Sequence, residues 1–253
     1  MMAKILRFLK LILVLPIFPL LGMITTFEGV MGSGKTLTAV ALSCSEHFQN
    51  GRKIISNIHL AFPYQKFDMQ YFMEHLQDQQ LNNCITLLDE AHQYLDARRS
   101  GGRANLLWTY YTVQTRKRGV DLYACFHHYD VMDKRFRRQI DIRGTCRYLK
   151  EDPCSKCEGT GISAKNTIPC PACGAENGKG PNADCHFCKG TGEVCPRCLG
   201  YGVTGWATTR FLDLRTGRRS RIRVFGPAFF GMYQTEELVP FTGLQTRIPV
   251  EDL

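Results

Sequence analysis

The sequence predicts an α/β fold, with a mostly parallel sheet flanked by helices, a small zinc-knuckle insertion and a late β-hairpin. Three observations carry this. Strand-like apolar runs alternate with helical patterns through the first 150 of 253 residues. The first run leads into Gly29-Val30-Met31-Gly32-Ser33-Gly34-Lys35-Thr36, and a later one, Cys84-Ile85-Thr86-Leu87-Leu88, ends in Asp89-Glu90. Beyond these, paired cysteines crowd into a single window.

Met23-Ile24-Thr25-Thr26-Phe27 reads as a buried strand over 23–28, and Leu37-Thr38-Ala39-Val40-Ala41-Leu42 as part of a helix over 35–49. The GxxxxGK[ST] spacing between them fits a phosphate-binding P-loop. Gly29, Gly32, Ser33 and Gly34 supply a loop whose backbone N–H groups can aim at phosphate oxygens, and the helix N-terminus adds its dipole. Lys35 is placed to reach the β- and γ-phosphates of ATP, and Thr36 to offer its hydroxyl to Mg²⁺. A strand over 53–58, a helix over 68–80 and a strand over 84–88 follow. At the end of the last, Asp89 can hold the Mg²⁺ shell and Glu90 can polarise the attacking water. The competing readings, a glycine-rich turn and two acids that cap the next helix, each lose weight beside the other motif. A helix over 104–118, a strand over 120–126 and a strand near 140–149 complete an expected ATPase core over 23–150.

A hydrophobic content of 44% suits a globular protein with a real core. The net charge of +9 gathers in four clusters: Arg98, Arg99 and Arg103; Arg116, Lys117 and Arg118; Lys134, Arg135, Arg137 and Arg138; and Arg215, Arg218, Arg219, Arg221 and Arg223. Such runs are commonly solvated surface, but in an NTPase they favour a polyanion such as double-stranded or single-stranded DNA. Residues 1–22 form a basic-apolar segment in which Lys4, Arg7 and Lys10 precede Leu11–Ile24. With two prolines and fewer than the roughly 20 apolar residues of a simple span, the segment suggests peripheral attachment to a membrane or virion protein rather than export. Packing on the core is the alternative.

Eight of twelve cysteines form four CxxC pairs: Cys154/Cys157, Cys170/Cys173, Cys185/Cys188 and Cys195/Cys198. Two such knuckles make one tetrahedral Cys₄ site, so four imply two Zn²⁺ ions, with closed shells and a structural role. A disulfide framework is the competing reading, disfavoured in a reducing, ATP-using compartment. Cys44, Cys84, Cys125 and Cys146 stand singly in apolar elements as expected core residues. Glycines follow three pairs, in Cys157-Glu158-Gly159-Thr160-Gly161, Cys188-Lys189-Gly190-Thr191-Gly192 and Cys198-Leu199-Gly200-Tyr201-Gly202. These repeats resemble the CxxCxGxG zinc region of DnaJ-type co-chaperones, while Cys173-Gly174-Ala175-Glu176-Asn177-Gly178 departs from it. The resemblance covers about 154–202 and implies that the outer knuckles share one zinc and the inner two the other. The chain lacks the His-Pro-Asp signature of such co-chaperones.

The zinc unit, 151–203, is expected as an insertion, and 204–253 as a hairpin and tail that complete the ATPase domain. In the latter, Trp206–Leu214 and Ser220–Phe225 flank the turn Arg215-Thr216-Gly217-Arg218-Arg219. Thr115-Arg116-Lys117-Arg118-Gly119-Val120-Asp121-Leu122-Tyr123-Ala124-Cys125-Phe126-His127-His128, with Asp133-Lys134-Arg135-Phe136-Arg137, resembles the FtsK/HerA branch of P-loop motors, notably viral packaging ATPases and Zot-type phage assembly proteins. The resemblance spans roughly 23–150 and part of 203–238. It implies a homo-oligomeric ring, a γ-phosphate sensor at about His127, and Arg116 and Arg118 as candidates for charge stabilisation across a subunit boundary, or else a solvated helix end. The leading expectation is a DNA-translocating ATPase for viral genome packaging, in the host cytoplasm or virion and peripheral to a membrane. The alternatives are a Zot-like assembly or extrusion ATPase and a zinc-stabilised, chaperone-like polypeptide binder.

Overall fold

The structure, a computed structural model, describes residues 13–14, 22–77, 79–95, 103–164, 166–170, 173, 185 and 187–234. The chain runs through β1 (Leu13–Val14), β2 (Ile24–Glu28), α1 (Lys35–Asn50), β3 (Lys53–Ser56), β4 (Gln65–Lys66), α2 (Met69–His75) and β5 (Cys84–Leu88). It continues through α3 (Arg103–Val113), α4 (Thr115–Arg118), β6 (Asp121–Phe126), α5 (Lys134–Arg137), β7 (Ile142–Pro153), β8 (Ile168–Pro169), β9 (Glu193–Val194), β10 (Val203–Asp213), β11 (Arg219–Phe225) and α6 (Gly226–Phe229).

Nine strands form one sheet in the order β1-β11-β10-β7-β2-β6-β5-β3-β4. From β7 to β4 every neighbouring pair is parallel, and β10, β11 and β1 extend the sheet antiparallel. The mostly parallel sheet expected from the β-α alternation is therefore present. β5 and β6 are buried at every position, as strands covered on both faces must be. Because β6 lies between β2 and β5, the loops that follow these three strands leave the same edge side by side, where open parallel sheets place their ligands.

α1 packs on one face, in a core that holds Phe27, Val40, Ile85, Tyr123, Ala207 and Phe211. Its end is set by Gly51, whose φ of 66° makes an αL cap: Gly51 N–H donates to His47 O at 3.0 Å, and Arg52 N–H to Glu46 O at 3.4 Å. The other face carries Trp108 stacked on Phe72, with ring centroids 4.4 Å apart, together with Phe67, Tyr94 and Tyr111. α2 starts where the Asp68 carboxylate accepts Tyr71 N–H at 2.7 Å. The helix predicted over 68–80 stops at His75, because Leu76 and Leu81 both turn inward beside Phe72 as the chain bends into β5. The helix predicted over 104–118 is divided at Gln114, whose ψ of 0° breaks the α-helical geometry between α3 and α4.

The single cysteines are core residues, as expected: Cys44, Cys84, Cys125 and Cys146 are all buried. Burial pushes the Cys44 thiol up to about 12 and that of Cys146 to about 11. β7 and β10 pair from Ile142↔Asp213 to Val203↔Pro153, and the eight paired cysteines all fall between them in sequence. The basic-apolar segment lies outside the described residues except for Gly22 and for Leu13–Val14, which pair with Arg223 and Ile222 of β11. Arg98, Arg99, Gly174–Gly178 and the tail from residue 235 are likewise outside them. Among the described residues no helix is long and apolar enough to cross a membrane.

Candidate active site and metal centres

β2 delivers the chain to the phosphate loop at the sheet edge. Gly34 sits at φ 82°, immediately before α1, and a methyl group there would lie 2.9 Å from Ala207 Cβ. The position thus tolerates no side chain on either ground. Lys35 is 6% exposed, and its ammonium donates to Gly29 O at 3.0 Å and Val30 O at 3.1 Å. It rests on the loop's own carbonyls at the wall of a cavity of about 450 Å³. Thr36, one residue on, donates from Oγ1 to Asp89 Oδ1 at 3.0 Å.

Asp89 leaves the end of β5 and is gripped by a residue the sequence reading passed over. Asn57, just past β3, donates from Nδ2 to Asp89 O and accepts Asp89 N–H on Oδ1, both at 2.8 Å. Asn57 is 5% exposed, so this two-point clamp works away from bulk water. Burial raises the Asp89 pKa above the ordinary carboxylate value. The Glu90 charge adds to the effect, while the Thr36 hydroxyl and Lys35 ammonium oppose it. Adjacent oxygen donors on Thr36 and Asp89 suit a hard divalent cation such as Mg²⁺.

Glu90 occupies the left-handed region at φ 48°, an uncommon conformation for a non-glycine residue. Its carboxylate is straddled by two imidazoles: His127 Nε2 lies 3.3 Å from Oε1, and His92 Nδ1 lies 3.2 Å from Oε2. His127 follows β6 directly, so the strand between the P-loop strand and the acid-bearing strand ends in a polar group at the cavity.

Gly32, Gly34, Lys35, Thr36, Asp89, Glu90 and His127 all line this one cavity, as the sequence reading requires of a common site. Gly29 and Ser33 stand just behind it, where a methyl group on Gly29 would lie 2.5 Å from Ser33 Oγ. An aromatic wall of Tyr148, Phe230 and Tyr233 was not legible in advance. It depends on the segment after β11 crossing back to the loop after β3, where Tyr233 bridges Leu60 and Ala61 N–H donates to Met232 O at 2.9 Å. His92 could have been suspected from its position two residues after Glu90, and Asn57 from being a polar residue at the carboxyl end of an apolar strand.

Arg116 and Arg118 are not brought to this cavity. They precede β6 at its amino end, the opposite edge of the sheet, where the Arg116 backbone packs against Gly22 before β2. Arg116 Nη2 donates to Asp141 Oδ1 at 2.8 Å, and Asp141 Oδ2 accepts Ile24 N–H at 3.0 Å. Arg118 donates to Gln114 Oε1, Asn82 Oδ1 and Leu76 O.

The sequence of this region has a counterpart among known families. Residues 23–70 match the family model of zonular occludens toxin (Zot). The Zot-matched stretch contains the phosphate loop and Asn57; Asp89, Glu90 and His127 lie beyond it. Among solved structures, the N-terminal domain of zonular occludens toxin from Neisseria meningitidis is 16% identical, with 85% of this chain and 100% of that one covered, at a TM-score of 0.47. B204, the DNA-packaging ATPase from Sulfolobus turreted icosahedral virus, is 13% identical over 79% of this chain and 96% of its own, at a TM-score of 0.45. No curated protein matches the chain.

The paired cysteines converge into two clusters. Cys154 and Cys157 meet Cys195 and Cys198, and Cys170 and Cys173 meet Cys185 and Cys188; within each set all sulfurs lie within 4.8 Å of one another. The pairing is outer with outer and inner with inner, as the DnaJ-type resemblance implies. Four Sγ–Sγ separations, Cys154–Cys195, Cys157–Cys198, Cys170–Cys185 and Cys173–Cys188, are 3.6–3.8 Å, too long for disulfides. They match the edge of about 3.8 Å of a tetrahedron whose Zn–S bonds are about 2.3 Å. The glycines have a geometric reason: in three repeats the residue after the second cysteine and both glycines take positive φ. A methyl group on Gly161 would lie 2.5 Å from Gly200 O, and one on Gly202 2.3 Å from Gly159 O. The first and fourth repeats pack backbone to backbone, and only glycine allows it.

Proposed function

We propose that this chain is an ATP-hydrolysing motor that moves DNA, used in packaging a viral genome at a membrane and working as a homo-oligomeric ring. The reading is carried by one observation: Lys35, the Thr36–Asp89 pair and Glu90 converge on a single cavity from the ends of two separate strands, β2 and β5. The loop N–H groups and Lys35 would hold the triphosphate, with the ammonium exchanging its two carbonyl acceptors for phosphate oxygens. Thr36 and Asp89 would hold Mg²⁺, which, when bound, supplies charge neutralisation for the transferring phosphoryl group. Glu90 would orient and polarise the attacking water, its carboxylate flanked by the imidazoles of His92 and His127. His127 would then sense the γ-phosphate through the acid it contacts. Any help from arginine would come across a subunit boundary, where Arg116, with its side chain 59% exposed, is better placed than the thrice-bonded Arg118.

A second reading, a Zot-like ATPase that drives phage assembly or extrusion at the inner membrane, is favoured by the family match over 23–70. Steady-state ATP hydrolysis with and without DNA separates the two. Stimulation that falls with salt supports the translocase, and Glu90-dependent hydrolysis indifferent to DNA supports assembly driven by protein contacts. Lys35→Ala should abolish turnover in either case while the fold persists. Full activity in that variant would overturn both.

A further inference from the structure

The antiparallel extension of the sheet has two unequal faces. Ile142, Cys146, Ala207, Phe211, Ile222 and Val224 point into the core beneath α1. Side chains alternate along a strand, so the intervening residues of β7, β10 and β11 point the other way; at one end Tyr201 and Trp206 cover Phe225, while among the described residues no apolar cluster covers Arg210, Arg219 or Arg221.

That open face is ruled by arginine. The strand registers set three rows across it: Arg143, Leu212, Arg219; Thr145, Arg210, Arg221; and Arg147, Thr208, Arg223. One neighbouring acid, Glu28, is already consumed, taking Arg143 in a two-point contact with both distances 2.9 Å. Among the described residues no carboxylate pairs with Arg210, Arg219 or Arg221, and these three line a depression of about 600 Å³. Arg210 stands directly opposite Arg221. Like charges in that relation destabilise a sheet, so the arrangement works against folding, and a bound anion would relieve it. Aromatic rings flank the rows, with Arg143 4.5 Å above Tyr129 and Arg223 4.7 Å above Trp206.

We propose that this face binds a single nucleic-acid strand, gripping its phosphates with the arginine rows. Alternate residues of an antiparallel strand lie about 6.8 Å apart, so Arg219, Arg221 and Arg223 form a regular line along which an extended polyphosphate backbone can run. Guanidinium forks bind phosphate oxygens two at a time, and nearby rings offer stacking to bases. Contacts to phosphate carry no sequence information, so binding is sequence-tolerant. An anionic membrane is the poorer fit, because none of the exposed large apolar side chains among the described residues lies on these rows. The inference deepens the motor reading by naming the surface that holds the polymer, and its test runs without ATP.

The test is fluorescence anisotropy of labelled oligo(dT) titrated with the full-length, zinc-loaded chain over a range of salt. Arg210→Glu/Arg221→Glu should weaken binding at least about tenfold at about 50 mM salt and lower the salt slope by about 2. Arg221→Glu alone puts opposite charges face to face, so it should weaken binding while raising the melting temperature. Basal ATP hydrolysis should be unchanged in both variants. Failure of the motor reading shows as a native chain without hydrolysis, whatever its DNA affinity. Unaltered affinity and slope in folded variants would overturn this inference alone. So would tighter binding to duplex than to oligo(dT), or variant-sensitive binding to phosphatidylserine vesicles without binding to oligo(dT).

Discussion

Thr36 Oγ1 and Asp89 Oδ1 meet at 3.0 Å across 53 positions of sequence, tying the end of the phosphate loop to the end of β5. The contact places two oxygen donors side by side at a cavity wall, and Asn57 fixes the Asp89 backbone from the other side. The carboxylate is therefore held by its neighbours at side chain and main chain alike.

Asp89→Asn preserves the size of the side chain and removes its charge. Since burial raises the pKa of Asp89, the charged form is the costly one in the fold, and the amide should leave the melting temperature unchanged or raised. Turnover with Mg²⁺ should fall by about 100-fold or more, because the charge needed to hold the metal is gone. Thermal melting and steady-state hydrolysis, measured together, check both halves.

Glu90→Gln tests the other acid of the pair. An amide can still contact His92 and His127 but cannot polarise water as a carboxylate does, so kcat should fall by about 10² to 10⁴ with KM little changed. A tight nucleotide-bound state that hydrolyses slowly is the expected phenotype, read by single-turnover assay. A loss confined to KM would assign Glu90 to binding instead.

The parts of this fold legible in sequence are those governed by local rules. The phosphate loop, β5 with its two acids and the four knuckles each carry a spacing that can be read from a short stretch of sequence, and in each the reading gains weight from a second motif. What escaped was non-local. Asn57 matters because β3 lies next to β5 in the sheet, a fact of strand order rather than of composition. Tyr148 and Phe230 reach the cavity only after β7 pairs with β2 and the chain returns past β11. The basic run that ends at Arg118 looks free in sequence, yet Arg118 is spent on Gln114, Asn82 and Leu76 within the chain.

Asn57→Ala follows from that lesson. It leaves the Asp89 N–H and C=O without their partner in a nearly buried place, at a cost of about 1–3 kcal/mol. Chemical denaturation should show this loss of stability. Turnover should fall as well, because Asp89 and Glu90 lose their anchor, whereas a purely structural role would leave kcat of the folded fraction intact.

The two cysteine clusters are expected to hold metal independently, because they share no ligand. Elemental analysis should give two zinc ions per native chain, and either Cys154→Ser or Cys170→Ser should reduce that to one. The thermal consequences should differ. Cys154 follows β7 without a spacer, and its N–H donates to Gly202 O at 2.8 Å, immediately before β10 begins. The outer cluster therefore clamps the base of the longest strand pairing in the sheet, so its loss should lower the melting temperature of the whole domain. Among the described residues the inner cluster reaches the sheet through the short β8–β9 pair, Ile168↔Val194 and Pro169↔Glu193, and through Phe187, whose ring meets Tyr201 of the outer repeats. Cys170→Ser should thus loosen the insert, as read by proteolysis between 166 and 194, while the main transition stays in place. Equal shifts from the two variants would show that the clusters fold as one unit.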